Sequence, residues 1–170
     1  NACVGIEAFG IKSTGPLLIT HWGLSGPVIL KLSALGARKL EQVKYQFKIQ
    51  VNWLGEHWDF QKLRKIIESE RNKNGVRKIL KKSPLKEIPN RLWTRIALKA
   101  GIEEGQTWSE LTKNISVKVV NLLSSEEFIV SGKSLNKEEF VTCGGVLIRD
   151  IDLRTMESRL VKNLFFAGEV

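Results

Sequence analysis

The sequence predicts an α+β fold in which antiparallel strands form a small barrel that is interrupted by a helical insertion. Apolar and polar residues alternate with period two over residues 43–53, which is typical of a strand with one buried face. Shorter apolar segments occur on both sides of a stretch of about 65 residues whose apolar residues recur at helical spacing. Because strands and helices are segregated along the chain, we expect the strands that flank the insertion to pair with each other.

The remaining strands are short. Residues 2–6 and 9–11 predict a hairpin that turns around Glu7 and Ala8, and residues 17–19, 128–130 and 140–142 predict three further strands. A helix is expected over residues 27–40. Its inward-facing side chains are predicted to be Val28, Leu32, Leu35 and Ala37.

Four short helices are predicted within the insertion. The first is capped by Asp59, and a short second helix contains Val76, Ile79 and Leu80. The third starts at Pro89 and stops at Gly101. Thr107 and Glu110 match a capping box that predicts the fourth, whose buried stripe is Leu111, Ile115, Val119 and Leu122. We therefore divide the chain into a barrel (1–56 and 124–162), a helical insert (57–123) and a return strand (163–170).

The positive charge of the chain is concentrated in the insertion. The 170 residues carry a net charge of +9, and residues 62–99 hold 13 basic and 3 acidic residues. The simpler interpretation is a solvated basic surface, which is common on helices. The alternative is a nucleic-acid module that contacts phosphates, with Trp58 or Trp93 stacking on bases. The candidate phosphate contacts are Lys62, Arg64, Lys65, Arg71, Lys73, Arg77, Lys78, Lys81, Lys82 and Lys86.

Residues 15–27, GPLLITHWGLSGP, are the first motif that indicates chemistry. A strand leads into a glycine-rich turn, and a helix is expected to begin near Ser25. Such a turn can direct backbone N–H groups toward an anion or a carbonyl oxygen, and His21 lies where the strand ends. The simpler interpretation is that the glycines make the turn and His21 forms a local hydrogen bond.

Two further motifs lie near the C-terminus. Gly144 and Gly145 follow a predicted strand, where glycines permit the close approach of a ligand or form an ordinary bulge. Residues 163–169, NLFFAGE, are typical of a strand buried on both faces that ends in glycine and an acid. Because this apolar run ends abruptly, we expect the chain to be a piece of a longer protein.

The residue types and their spacing exclude several classes of site. His21 and His57 are the two histidines, and no spacing of histidine or cysteine matches a metal site. Cys143 is interpreted as a buried apolar residue and not as a nucleophile. No phosphate-binding glycine fingerprint and no apolar run of membrane-spanning length is present. The low cysteine content favours a reducing, cytoplasmic compartment.

Four blocks in this order, GPLLITHWGLSGPVILKLS, VTCGGV, TMESR and NLFFAGEV, resemble the aminoacetone oxidase family of bacterial FAD-dependent oxidoreductases. In that family an inserted region, made of a barrel of about six strands similar to those of translation factors and a helical sub-domain, interrupts the FAD-binding domain. The resemblance implies that this chain is that insert together with the start of the return to the FAD domain.

The resemblance also implies site roles. We expect His21 to exchange a proton beside the flavin, and we expect FAD contacts from Gly23, Ser25, Gly26, Gly144, Gly145, Gly168 and Glu169. FAD would be held by the parent protein and not by this piece alone, with NAD(P)H as a candidate electron donor. The expected partners are the FAD-binding domain of the same polypeptide and a small-molecule substrate, and we expect neither a nucleic acid nor a membrane as a partner. A nucleic-acid-binding or protein-interaction module remains the alternative.

Overall fold

The computed structural model describes residues 1–133 and 144–168. They belong to two compact units, Asn1–Lys133 and the described part of Ser134–Val170. In the described residues, no helix is long and apolar enough to cross a bilayer.

The strands of the first unit are β1 (Ala2–Ile6), β2 (Ile11–Gly15), β3 (Leu18–Ile19), β4 (Leu24–Ser25), β5 (Phe47–Asn52) and β6 (Glu126–Val130). Four of them form the antiparallel main sheet, in the order β2-β1-β5-β6. The predicted hairpin is confirmed: a 3-10 turn over Glu7–Phe9 joins β1 to β2 and ends at Gly10, whose φ of +65° suits glycine.

The strands on either side of the insertion pair as expected. Strands β5 and β6 are antiparallel, with Phe47 opposite Val130 and Val51 opposite Glu126. Their pairing brings residues 75 to 83 positions apart into register, so the insertion begins and ends at the same end of these two strands. The α+β class is therefore confirmed.

The closed barrel is not formed by the described residues, because the main sheet stays open at β2 and β6. The predicted strand at 140–142 lies outside the described residues. The predicted strand at 43–53 is also shorter than its pattern, since β5 begins at Phe47. Lys44 and Tyr45 have φ values of +52° and +56°. The Tyr45 N–H donates to the Leu40 carbonyl at 2.9 Å, so these residues cap the preceding helix instead.

The helix α1 (Pro27–Gln42) packs its stripe of Val28, Leu32, Gly36 and Leu40 into the core. The prediction for Leu35 is wrong, since its side chain is 60% exposed. The buried stripe advances by four residues at a time, and this places Leu35 at its margin.

The insertion contains three α-helices, where four were predicted. They are α2 (Phe60–Lys73), α3 (Asn90–Ala100) and α4 (Lys113–Ser124). Asp59 caps α2 as predicted, accepting from the Lys62 N–H at 2.8 Å, and Gly101 ends α3 with a φ of +98°. The predicted second helix is a single 3-10 turn, Ile79–Lys81.

The capping box at Thr107 exists but begins a 3-10 turn, Trp108–Glu110, and not the last helix. That helix has its own cap, the Thr112 hydroxyl, which accepts from the Ile115 N–H at 3.3 Å. Two caps in succession divide the predicted helix into a turn and α4.

The second unit contains a short antiparallel hairpin, β7 (Ile151–Asp152) and β8 (Glu157–Ser158). Residues 163–168 form no named strand in this chain, and a return strand that pairs with the FAD-binding domain stays a prediction. Phe165 makes one isolated bridge, to Glu157, and the side chains of Leu164 and Phe165 are 43% and 59% exposed. Glu169 lies outside the described residues.

Candidate functional site

The glycine-rich motif folds as a tight hairpin between β3 and β4. The turn spans Thr20 to Gly23, and the Thr20 N–H donates to the Gly23 carbonyl at 2.8 Å. The Thr20 hydroxyl accepts from the N–H groups of Trp22, at 3.3 Å, and Gly23, at 3.1 Å. Threonine therefore organises the turn through hydrogen bonds from its side chain and its backbone.

The hairpin presents His21 and Trp22 to solvent. Their rings lie 4.7 Å apart between centroids, and the Trp22 side chain is 88% exposed. Among the described residues the His21 imidazole forms no hydrogen bond, while the glycines do make the turn, as the simpler interpretation holds. An exposed imidazole can reach a bound molecule and exchange a proton with it.

Exposed apolar side chains extend along the same hairpin. Leu18 and Ile19 are 57% and 54% exposed, and as strand neighbours they point to opposite faces. A two-stranded hairpin is marginally stable without cover, and here Leu24 packs partly against the core while Leu18 and Ile19 stay exposed. Together with Trp22, these side chains form an exposed apolar surface that is suited to contact with another domain or molecule.

Gly26 fixes the junction between the hairpin and α1. Its φ is +97°, and a Cβ at this position would lie 3.0 Å from the Pro16 carbonyl oxygen and 3.1 Å from the Leu18 nitrogen. Glycine is therefore required by both backbone conformation and space.

The first turn of α1 has fewer available donors than the motif suggests. The Val28 N–H donates to the Pro16 carbonyl at 3.3 Å, and the N–H groups of Ile29 and Leu30 both donate to the Gly26 carbonyl. These three amides are therefore not available to an anion, and the Gly23 N–H is also engaged, since it donates to the Thr20 hydroxyl.

The other predicted cofactor contacts belong to the second unit. Gly144 and Gly145 are exposed and have φ values of +147° and +130°. Gly168 has a φ of +91°, with open space around the position of a Cβ. Cys143 and Glu169 lie outside the described residues. In the described ranges, no group of three metal-ligating side chains occurs.

A second candidate site is a basic surface on the insertion. Residues 71–86 contain seven basic residues and no acid, and all seven side chains are exposed. Two arginines of α3, Arg91 and Arg95, are also exposed and lie one helical turn apart. We define the basic surface as Arg71, Lys73, Arg77, Lys78, Lys81, Lys82, Lys86, Arg91 and Arg95.

The segment that carries this charge is held by hydrogen bonds to its neighbours. The Trp108 N–H donates to the Arg77 carbonyl at 3.1 Å, and the Ile79 N–H donates to the Gln106 carbonyl at 2.9 Å. The buried indole N–H of Trp93 donates to the Ile79 carbonyl at 2.9 Å. The loop after α2 is therefore anchored to the core.

The tryptophans considered for base stacking are not on this surface. Trp93 is fully buried and stacks on Trp108, with 6.1 Å between ring centroids, and Trp58 is half-buried. The sequence candidates also omitted Arg91 and Arg95. Their four-residue spacing, opposite the apolar stripe of α3, is the signal that could have identified them.

A family model described as "HI0933-like protein barrel and H2TH domain" matches residues 1–141. The chain belongs to this family. Membership supports a flavoprotein, FAD-dependent oxidoreductase family, as the sequence blocks indicate, and it is consistent with the predicted barrel at a coarse level. The narrower assignment to aminoacetone oxidases stays an expectation from the resemblance.

Two curated relatives carry the name "Ribosomal RNA dihydrouridine synthase". The Haemophilus influenzae protein is 32% identical over 158 residues, which cover 91% of this chain and 35% of the relative. The Escherichia coli protein is 28% identical over 158 residues, which again cover 91% of this chain and 35% of the relative. The chain thus spans about a third of the length of the curated relatives it matches.

Proposed function

We propose that this chain is the barrel-and-helix domain of an FAD-dependent reductase that converts uridine to dihydrouridine in ribosomal RNA. In this protein the hairpin over residues 18–25 shapes the cleft around flavin and substrate. The observation that carries the proposal is the exposed pair His21 and Trp22 at the tip of a hairpin whose Leu18 and Ile19 side chains are also exposed. Family membership and the names of both relatives support the reaction class.

The described residues fit a contact with the flavin and not the binding of its whole dinucleotide. They contain no glycine fingerprint for the pyrophosphate, and we assign that task to the FAD-binding domain of the longer protein. Gly23, Ser25, Gly26, Gly144, Gly145, Gly168 and Glu169 remain proposed cofactor contacts. The proposed division of the chain is likewise 1–56 with 124–162, 57–123 and 163–170.

Dihydrouridine differs from uridine by a hydride and a proton added across the C5–C6 double bond. FAD, when bound in its reduced form, supplies the hydride, and NAD(P)H is the proposed source of the electrons. His21 supplies the proton, since an imidazole can hold a proton near neutral pH. Trp22 covers the reacting base and excludes water through its exposed indole.

The test is a substitution in the full-length protein. His21→Ala should lower the turnover number by about 100-fold or more, as for loss of a general acid, while the flavin absorbance is retained. His57→Ala is the matched control, because His57 is also exposed and its imidazole makes no hydrogen bond among the described residues. Unchanged dihydrouridine formation by His21→Ala would overturn the role of His21.

A further inference from the structure

We propose that the basic surface binds the phosphate backbone of the ribosomal RNA substrate. This inference rests on the proposed function and adds the location and the chemistry of RNA binding. It assigns to the helical insert the task of holding the RNA, while the hairpin contacts the base that reacts.

The basic surface carries a high local density of positive charge. Residues 71–86 carry seven positive charges and no acidic residue. Among the described residues, none of the nine side chains of the basic surface forms a salt bridge. In contrast, nearby cations such as Lys62 and Arg64 pair with Asp59 and Glu68. The charges of the basic surface are therefore available for a polyanion.

Two of the acids next to the basic surface, Glu70 and Glu110, accept hydrogen bonds within their own elements. Glu70 accepts from the Asn74 amide at 2.7 Å. The Glu110 carboxylate accepts from the Thr107 N–H and hydroxyl, both at 2.7 Å, and these hydrogen bonds hold the pKa of Glu110 below its ordinary value. Glu110 therefore stays ionised in its own capping box. Glu87 is exposed and lies one residue beyond the acid-free segment.

Hydrogen bonds hold the backbone of the segment that carries most of these charges. Core hydrogen bonds hold Arg77 and Ile79, as described above. The Ser83 N–H donates to the Asn90 side chain at 2.9 Å, which ties the residue after Lys82 to the residue before Arg91. A fixed array of cations loses less conformational freedom on binding than a flexible tail.

The way in which the basic surface recognises RNA follows from the contacts it offers. Phosphate contacts position a nucleic acid without reading its sequence. Because Trp93 and Trp108 are buried, the basic surface offers no indole from these residues for base stacking. We infer that it recognises the charge and shape of folded RNA, and this mode makes affinity strongly dependent on salt.

The experiment compares two triple variants of the full-length protein with bound FAD. One is Arg77→Ala, Lys81→Ala and Lys82→Ala in the basic surface. The matched control, Lys31→Ala, Arg38→Ala and Lys118→Ala, removes one arginine and two lysines that are equally exposed and form no salt bridge among the described residues. Binding to a transcript of the substrate rRNA is measured from low to moderate salt.

We expect the basic-surface variant to lose about 100-fold in affinity at 0.1 M salt, since three contacts each contribute about 0.7–0.9 to the logarithmic salt slope. The magnitude of that slope should fall by about 2 to 3, and the KM for RNA should rise while kcat and the flavin spectrum stay unchanged. The control should bind like the wild type.

Equal affinity and salt slope in both triple variants would overturn the inference. Dihydrouridine formation by the same preparations separates this failure from that of the proposed function. An active enzyme with RNA binding unaffected by the variants refutes the basic surface alone. A wild-type protein that binds RNA through the basic surface but forms no dihydrouridine refutes the proposed reaction.

Discussion

Glu126 joins the helical insert to the sheet through a buried network, and Lys99→Met tests its importance. The Glu126 side chain is 7% exposed and accepts hydrogen bonds at 2.7 Å from the Trp53 indole and from the Lys99 ammonium. Lys99 also lies 5.5 Å from the centroid of the Phe128 ring. Methionine retains an apolar side chain beside Phe128 but removes the charge that balances Glu126.

The size of the effect follows from the burial of the two partners. Removing one member of a fully buried ion pair costs about 3–5 kcal/mol. The Lys99 side chain is 54% exposed, so water can replace part of the lost interaction. We therefore expect the free energy of unfolding to fall by about 1–2 kcal/mol, which corresponds to a decrease in Tm of about 4 °C for a chain of this length.

Chemical unfolding followed by tryptophan fluorescence measures this difference. Lys118→Met is the control, because Lys118 is exposed and forms no salt bridge among the described residues, and it should change stability by less than about 0.5 kcal/mol. In a Glu126→Gln background Lys99→Met should also cost little, since a neutral amide needs no counter-charge. Equal effects of Lys99→Met in both backgrounds would refute the coupling.

Two further predictions concern single residues. Gly26→Ala should lower the free energy of unfolding by about 2–4 kcal/mol, because the φ is positive and the added Cβ lies 3.0 Å from the Pro16 carbonyl oxygen. Gly105→Ala is the control: its φ is +90° but no atom lies near the added Cβ, so it should cost only about 1 kcal/mol. Equal losses would show that the close contact at Gly26 is unimportant. Hydrogen bonds from the Thr107 backbone and hydroxyl hold the pKa of Glu110 below its ordinary value of 4.5. The contribution of the Glu110 carboxylate to the free energy of unfolding is therefore present above pH 4.5 and is lost as the pH falls through the lowered pKa. Unfolding of Glu110→Gln and wild type from about pH 7 to about pH 3 should show a converging difference, and a constant difference would contradict this.

Local sequence signals predicted most of the architecture. The alternation within β5, the cap at Asp59 and the stop at Gly101 each depend on residues close in sequence, and all three occur. The pairing of β5 with β6 followed from the need to complete a sheet across an insertion.

The failures come from competition between local signals. Residues 43–46 share the alternating pattern of β5 but serve the C-terminal end of α1, whose carbonyls need donors. Thr107 and Thr112 both cap, and the sequence does not show which cap begins the helix. Leu35 lies at the margin of a stripe whose centre depends on tertiary packing.

The sequence predicted some features of the candidate site and missed others. The motif around His21 indicated an exposed turn, but no local signal shows that the amides of Val28, Ile29 and Leu30 are already bonded. The concentration of charge was visible in the sequence, although the solvated interpretation was favoured there. The anchored loop and the names of the relatives now favour RNA in our proposal.

The central claim is that the protein containing this chain reduces uridine in ribosomal RNA. Its most direct test is the dihydrouridine content of ribosomal RNA, measured by mass spectrometry of nucleosides, in cells that lack the gene. We predict that dihydrouridine disappears at one or more rRNA positions and returns when the full-length wild-type gene is restored. An unchanged dihydrouridine content after deletion would contradict the account.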